Sequence, residues 1–331
     1  MQKKNLAIIP CDGICEEIFP FIDKTLDFIA PQLNRFYFFV GLKQFETTGY
    51  SITDETIEGI KKCDAVLFGA VTTPTSNLKN YRSPVLTLRR ELDVFVNVRP
   101  IKNILSTRNI NLTIFRENTE GLYVQKEYFT DKDTAIAEKV VTRNKTERLA
   151  KFAYEYALKT NIKKMTIVQK SNVLKLSDRF FLDICKEISK DYPQIETTEE
   201  YIDAACYHLV REPLKYNGII AENLYGDILS DLAAGLSDGL GLAYSSNIGE
   251  KYGFFEPVHG SAPDIMGKDI ANPYAVLFSL VMLLEYIEYS DAAKKLYDVI
   301  ISSIKSGLIT KDMGGNYKMS EVMNIINSKL S

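Results

Sequence analysis

The chain has 331 residues, 46% hydrophobic and 25% charged, enough material for one large core or two moderate ones. Its formal net charge is −3 with no long basic block, which removes the electrostatic basis for binding nucleic acid. The five cysteines are odd in number and irregularly spaced, matching neither a zinc pattern nor a disulfide framework, and no signal-peptide pattern follows Met1, so a cytoplasmic setting is expected.

A short apolar strand pattern covers 6–10, and similar patterns recur at 35–40, 65–71, 94–98, 112–116, 164–169 and 218–222. Amphipathic stretches lie between them, at 14–29, 145–159, 176–190 and 203–211. This alternation predicts an α/β protein with largely parallel sheets. Residues 122–140 are rich in tyrosine and charge and read as strand or loop projecting from a sheet. The most apolar run, Ala275 to Leu284, is too short to span a bilayer. It reads as a buried helix capped by Asn272, with Pro273 in the first turn. No membrane partner is expected.

Several cofactor motifs are absent. Gly235, Gly239 and Gly241 follow a helical pattern rather than a strand, at the wrong spacing for a dinucleotide fingerprint, which argues against a Rossmann fold. No P-loop and no nucleophile elbow occur. With His208 and His259 as the only histidines, a His-rich metal site is excluded.

Two other patterns carry chemistry. Asp227 and Asp231 are four apart at the start of an apolar-periodic run, so both carboxylates share one helix face. Like charges at that spacing repel, and a hard divalent cation would relieve the repulsion. A solvated acidic face at a helix N-terminus is the commoner explanation on spacing alone. Arg89 sits on a helical stretch, Arg99 ends the next strand, and Arg116 ends the one after. Three guanidiniums at strand and helix ends suit a dicarboxylate pocket.

At this point the chain resembles the β-decarboxylating dehydrogenases of isocitrate, 3-isopropylmalate and homoisocitrate, closest to the homoisocitrate enzymes. The resemblance rests on Leu88 to Asp93, Asn97 to Pro100, Arg116 to Tyr123, Lys170 to Val173, Asn223 to Asp231, and Glu256 to Ile265. It implies an isopropylmalate dehydrogenase-like two-domain α/β fold with a central, mostly parallel sheet. Residues 1–99 and 238–331 would form the cofactor domain, and 100–237 the substrate wall and dimer interface. It implies a homodimer with shared active sites, with room for a higher oligomer. Arg89, Arg99 and Arg116 would hold the malate carboxylates, with Asn172 also near substrate. Asp227 and Asp231 would bind Mg2+ or Mn2+ with Asp203 from the second copy. Tyr123 and the second copy's Lys170 would be the acid/base pair. Ile14, Thr72, His259, Gly260, Ser261, Ala262, Asp264, Ile265 and Asn272 would line the cofactor. An acidic residue at position 264 can accept bonds from both ribose hydroxyls and repels a 2′-phosphate, which points to NAD.

The chemistry of such a substrate agrees with these residue types. A base takes the C2 hydroxyl proton as hydride leaves for the nicotinamide, helped by a divalent ion. Loss of CO2 leaves an enolate, and a tyrosine hydroxyl can protonate C3. The substrates differ only in the group on C3. Ser83-Pro84-Val85 lacks the asparagine of isocitrate enzymes, and Phe68 stands where those carry lysine. Val85 and Leu86 suit an isopropyl group. Thr73-Pro74-Thr75 with Tyr81-Arg82-Ser83-Pro84 is more similar to the homoisocitrate loop, in which Arg82 or Ser83 would meet the distal carboxylate. Homoisocitrate is therefore the expected substrate, with isopropylmalate second and isocitrate third, and lysine biosynthesis the implied pathway.

Two departures stand out. The family's first loop reads Gly-Asp-Gly-Ile-Gly, whereas this chain has Cys11-Asp12-Gly13-Ile14-Cys15. Gln169 replaces the usual histidine before Lys170. They admit a second reading, a non-catalytic regulatory partner of an active homologue, but every expected catalytic and metal position is filled.

Overall fold

The computed structural model describes residues 3–75, 78–105 and 108–331. The chain opens with strand β1 (Asn5–Cys11), helix α1 (Ile14–Ile29), β2 (Asn34–Tyr37), α2 (Leu42–Thr48), α3 (Asp54–Ile60), β3 (Ala65–Ala70) and α4 (Pro84–Glu91). Next come β4 (Val96–Lys102), β5 (Asn111–Glu117), a hairpin of β6 (Glu127–Asp131) and β7 (Thr134–Ala137), then α5 (Arg143–Lys159) and β8 (Lys164–Gln169). α6 (Ser177–Ser189), β9 (Glu196–Tyr201), α7 (Ile202–Arg211), β10 (Gly218–Ala221) and α8 (Asn223–Leu236) follow. The last elements are β11 (Tyr244–Ile248), β12 (Gly253–Pro257), α9 (Tyr274–Tyr286), α10 (Ser290–Lys305) and α11 (Met319–Leu330).

These elements form two compact units, 1–93 with 238–331, and 94–237. The sequence-derived boundary after Arg99 falls inside β4. In the first unit the strand order is β2-β1-β3-β12-β11, parallel except for the β11–β12 pair. β3 is buried along its whole length, so it reads as a continuous apolar run. α9 is apolar on nearly every face because it is buried all round; its N-cap is Pro273, not Asn272 as expected, and Asn272, one residue earlier, accepts the Tyr274 amide at 3.0 Å. Phe68 packs edge-on against Phe254 in this core, with ring centroids 4.9 Å apart. Its side chain is core packing, so it carries no direct information about a substrate.

In the second unit the order is β4-β5-β10-β8-β9, parallel except for β4–β5. The alternation of β5 explains the packing on its two faces. Leu112 and Ile114 join a core with Ala205, Leu209, Leu229 and Ala233 of α7 and α8. Phe115 points the other way, edge-on to Tyr156 of α5 at 5.3 Å. Within 122–140, a single 3-10 turn (Leu122–Val124) leads into the β6–β7 hairpin, exposed along both strands and closed at its base by a Gly121–Val140 bridge. Its lack of any buried face is why no clear strand alternation is legible there. Among the described residues, no helix is long and apolar enough to cross a membrane.

Candidate active site

α8 organises the second unit's site. Glu222 caps it by accepting the Tyr225 amide at 3.1 Å. Asp227 and Asp231 then project from successive turns. Asp227 is shared between two buried arginines. The Arg116 guanidinium donates to its Oδ1, and Arg99 lies 3.2 Å away. Arg99 also sits 3.7 Å from Asp231 and donates to Ser230 at 2.6 Å and Asn97 at 2.5 Å. Arg116 is braced from behind by Asn223, whose Oδ1 accepts from its Nε at 3.0 Å and from its second terminal nitrogen at 2.7 Å. Asn223 donates in turn to Glu117 at 3.3 Å, a buried carboxylate that also accepts the amides of Thr119 and Glu120. Gly226 makes the arrangement possible, since a Cβ there would lie 2.7 Å from the Arg116 side chain.

Tyr123 completes this group. Its hydroxyl donates to Asp227 Oδ2 at 2.6 Å, and the Arg116 guanidinium covers its ring at 5.0 Å. Burial and the Asp227 bond push its pKa up, against the pull of Arg116. The phenol is thus held in its protonated, proton-donating form. Asp231 is also raised, by burial first; Arg99 opposes the shift and Asp227 adds to it. A cation beside two hard carboxylates would relieve that repulsion, so these residues fit a divalent ion. Among the described residues, no three histidine, cysteine or acidic side chains gather as a metal site.

Asp203 lies instead at the start of α7, where it accepts from Lys170 Nζ at 2.5 Å and its carboxyl is held below its ordinary range by that bond. The Lys170 backbone is fixed separately: its amide donates to Asp178 at 2.7 Å. Gln169 is buried and accepts the Ser171 amide at 2.5 Å, so it bridges the lysine on the backbone side. Asn172 is exposed on the same turn. The sequence-predicted residues thus sort into two groups, Arg99, Arg116, Tyr123, Asp227 and Asp231 in one, Lys170 and Asp203 in the other.

The first unit carries the predicted cofactor residues. Asp12 accepts the amides of Leu42 at 3.0 Å, Lys43 at 3.2 Å and Thr72 at 2.9 Å, bracing the loop after β1. The Ile14 amide donates to the Ser261 carbonyl at 3.0 Å, and the Thr72 and Ser261 hydroxyls meet at 2.7 Å. Gly13, at φ 66° and ψ −137°, lets the two loops touch, because a Cβ would lie 2.0 Å from the Ser261 carbonyl oxygen. Ala262, at φ 41°, turns the second loop, and Asp264 and Gly260 are exposed beside the partly buried Ile265. His259 Nδ1 faces the Gly260 carbonyl at 2.9 Å and so carries the ring proton. Its Nε2 is a buried acceptor without a partner among the described residues, and burial lowers the ring pKa. An orphaned acceptor of this kind fits an amino group such as that of an adenine. Asn272 is engaged with Asp312 at 2.9 Å as well as with Tyr274.

The two cysteines of the first loop are both free thiols. Cys11 adopts φ 64°, the left-handed conformation for which glycine is the usual residue. Cys15 is buried in α1 against Gly69, and burial pushes its thiol up to about 12. Arg89 is buried and donates to Glu256 at 2.9 Å, and its Nε has no partner among the described residues. Arg82 is half exposed and donates to Asp54 at 3.0 Å and to the Ile52 carbonyl at 3.1 Å. Ser83 caps α4 through the Leu86 amide.

Asn223, Glu117, Ser230 and Asn97 are absent from the sequence-derived set. All four lie in the stretches that carry the family resemblance, but only Asn223 stands out by position, at the head of the acidic helix. Glu117 and Ser230 act through partners distant in the chain, and Asn97 through Arg99 two residues on.

A profile of the isocitrate/isopropylmalate dehydrogenase family matches residues 5–327. The chain belongs to that family. It is 42% identical over 332 residues to the 3-isopropylmalate dehydrogenase of Archaeoglobus fulgidus, covering 99% of both chains. It is 40% identical to the homoisocitrate dehydrogenase of Methanocaldococcus jannaschii, covering 98% of this chain and 99% of that one. A crystal structure of isocitrate dehydrogenase from Methylococcus capsulatus superposes with a TM-score of 0.94 at 36% identity, covering 99% of both chains.

Proposed function

We propose that the protein oxidises and decarboxylates a 2-hydroxy acid bearing a carboxylate on C3, using NAD and Mg2+ or Mn2+, with homoisocitrate preferred over 3-isopropylmalate. The observation that carries this reading is the cluster of Arg99, Arg116, Tyr123, Asp227 and Asp231. Two buried guanidiniums supply the positive charge that attracts the carboxylates of such an acid. Asp227 and Asp231 hold the ion, which when bound lowers the pKa of the substrate hydroxyl and polarises the carbonyl that forms from it. Tyr123 keeps its proton and delivers it to C3 after CO2 leaves. Lys170 and Asp203 act from a second copy, Lys170 as base and Asp203 as third ligand. Their separation from the first group supports this, as do the exposed Tyr207, Val210 and Ile228, at 61%, 53% and 48%, on α7 and α8. In the first unit, His259 Nε2 accepts from the adenine amino group. Asp264 takes the ribose hydroxyls and repels a 2′-phosphate, which favours NAD.

Substrate choice rests on the loop before Arg89. Arg82 is held by an exposed ion pair, a weak attachment that leaves its guanidinium able to exchange Asp54 for a substrate carboxylate. Val85 and Leu86, both partly exposed on α4, favour isopropylmalate as the second substrate. Initial rates with homoisocitrate, isopropylmalate and isocitrate test the order directly. Arg82→Ala is expected to lower kcat/KM for homoisocitrate about tenfold or more and to leave isopropylmalate within about threefold. A wild-type preference for isopropylmalate would overturn the substrate assignment.

A further inference from the structure

Lys139 stands at the base of the β6–β7 hairpin, one residue before Val140, whose amide and carbonyl close the hairpin on Gly121 at 3.2 and 2.9 Å. Its side chain, 13% exposed, places the ammonium group between two buried carboxylates that belong to different elements. It donates to Asp178 Oδ1 at 2.5 Å and lies 3.7 Å from Glu222 Oε1, with the Tyr225 ring beneath it at 4.4 Å. The side chains of Asp178 and Glu222 are 2% and 5% exposed, so water screens neither contact.

Each carboxylate has a second task. Asp178 Oδ2 accepts the backbone amide of Lys170 at 2.7 Å. Glu222 Oε1 accepts the Tyr225 amide at 3.1 Å and caps the helix that carries Asp227 and Asp231. The other Glu222 oxygen is buried without a partner among the described residues and packs where Gly121 lacks a side chain, 2.9 Å from where a Cβ would stand. One cation therefore offsets two buried charges, and each of those charges holds a functional segment by its backbone. Two carboxylates without the cation would repel and part, and both segments would move.

We propose that Lys139 is a positioning residue that sets the Lys170 turn and the first turns of α8 jointly. The proposal rests on the reading that Lys170 and Asp227 serve the reaction. Lys139 touches neither substrate nor ion. It acts through Asp178 on one side and Glu222 on the other.

Hydrogen exchange of the full-length protein, read at 170–175 and 223–231 with β3 as control, tests the link. In Lys139→Met both segments are expected to exchange about tenfold faster or more while β3 is unchanged, and Lys139→Arg restores both to within about threefold. In Asp178→Asn, which keeps the side chain's shape, faster exchange at 170–175 is expected to spread to 223–231. That variant keeps the test decisive if Lys139→Met does not fold. In Lys139→Met, kcat should fall about tenfold or more while KM for the organic acid stays within about threefold. Loosening confined to one segment, or none in a folded Lys139→Met, overturns the proposal. So does an unchanged kcat. Coupled exchange in a protein that turns over none of the three acids instead defeats the proposed reaction and leaves the mechanical link standing.

Discussion

Asp227→Asn is expected to lower kcat/KM by about a thousandfold or more and to destabilise the fold by about 3 kcal/mol. The two effects have one origin. Asp227 is the shared counter-charge of Arg99 and Arg116, whose side chains are 7% and 2% exposed, and it accepts the Tyr123 hydroxyl. Asparagine keeps the size and removes the charge, leaving two buried cations underpaired. Asp227 itself is 33% exposed, so solvent recovers part of the loss and the cost belongs at the low end for a broken buried pair. Activity falls further than stability because the same carboxylate is proposed to ligate the ion and to align the proton donor. A second readout separates the roles. The Asp227 bond raises the Tyr123 pKa, so its removal should let the phenol ionise at lower pH, seen in ultraviolet titration against a Tyr123→Phe background. Urea denaturation and initial rates check the rest. Wild-type activity in Asp227→Asn would remove this carboxylate from the chemistry.

Gly13→Ala is expected to raise KM for NAD about tenfold or more and to cost about 3 kcal/mol. Gly13 combines φ 66° with ψ −137°, a conformation essentially closed to residues with a Cβ. The added carbon would also lie 2.0 Å from the Ser261 carbonyl oxygen, and both partners are backbone, so neither can rotate away. Relief requires the loops to part, which breaks the bond from the Ile14 amide to Ser261 and displaces the segment carrying His259 and Asp264. The proposed ion site, at Asp227 and Asp231, lies in the second unit away from these loops, so Mn2+ affinity should stay at the wild-type value. Titration calorimetry with Mn2+ and kinetics with NAD distinguish this from general unfolding.

The contrast between Gly13 and Cys11 shows what sequence does and does not reveal. A glycine-rich turn is legible as a need for unusual backbone. That a cysteine occupies the left-handed position next to it is visible only in the structure, where Cys11 holds φ 64°. Several strands of the parallel layers are legible because burial on both faces makes them continuous apolar runs, as in β3 and β10, although the short buried β12 and its neighbour β11 are missed. β9 was not, since Glu196 to Tyr201 is polar and only partly buried. The acidic helix and the arginines stood out as charged residues at regular places. The residues that hold them did not. Glu117, Asn223, Asp178, Glu222 and Lys139 are polar side chains whose meaning depends on partners up to 107 residues away. Spacing patterns report on local periodicity, and these contacts have none.

The proposed reaction couples hydride transfer to loss of CO2. The most direct measurement follows NADH and CO2 together as purified protein acts on homoisocitrate with NAD and Mg2+ or Mn2+. The expected result is one CO2 per NADH, activity abolished by chelation and restored by either ion, and little rate with NADP. Failure to form NADH or NADPH from homoisocitrate, isopropylmalate or isocitrate with either nucleotide and added metal would contradict it.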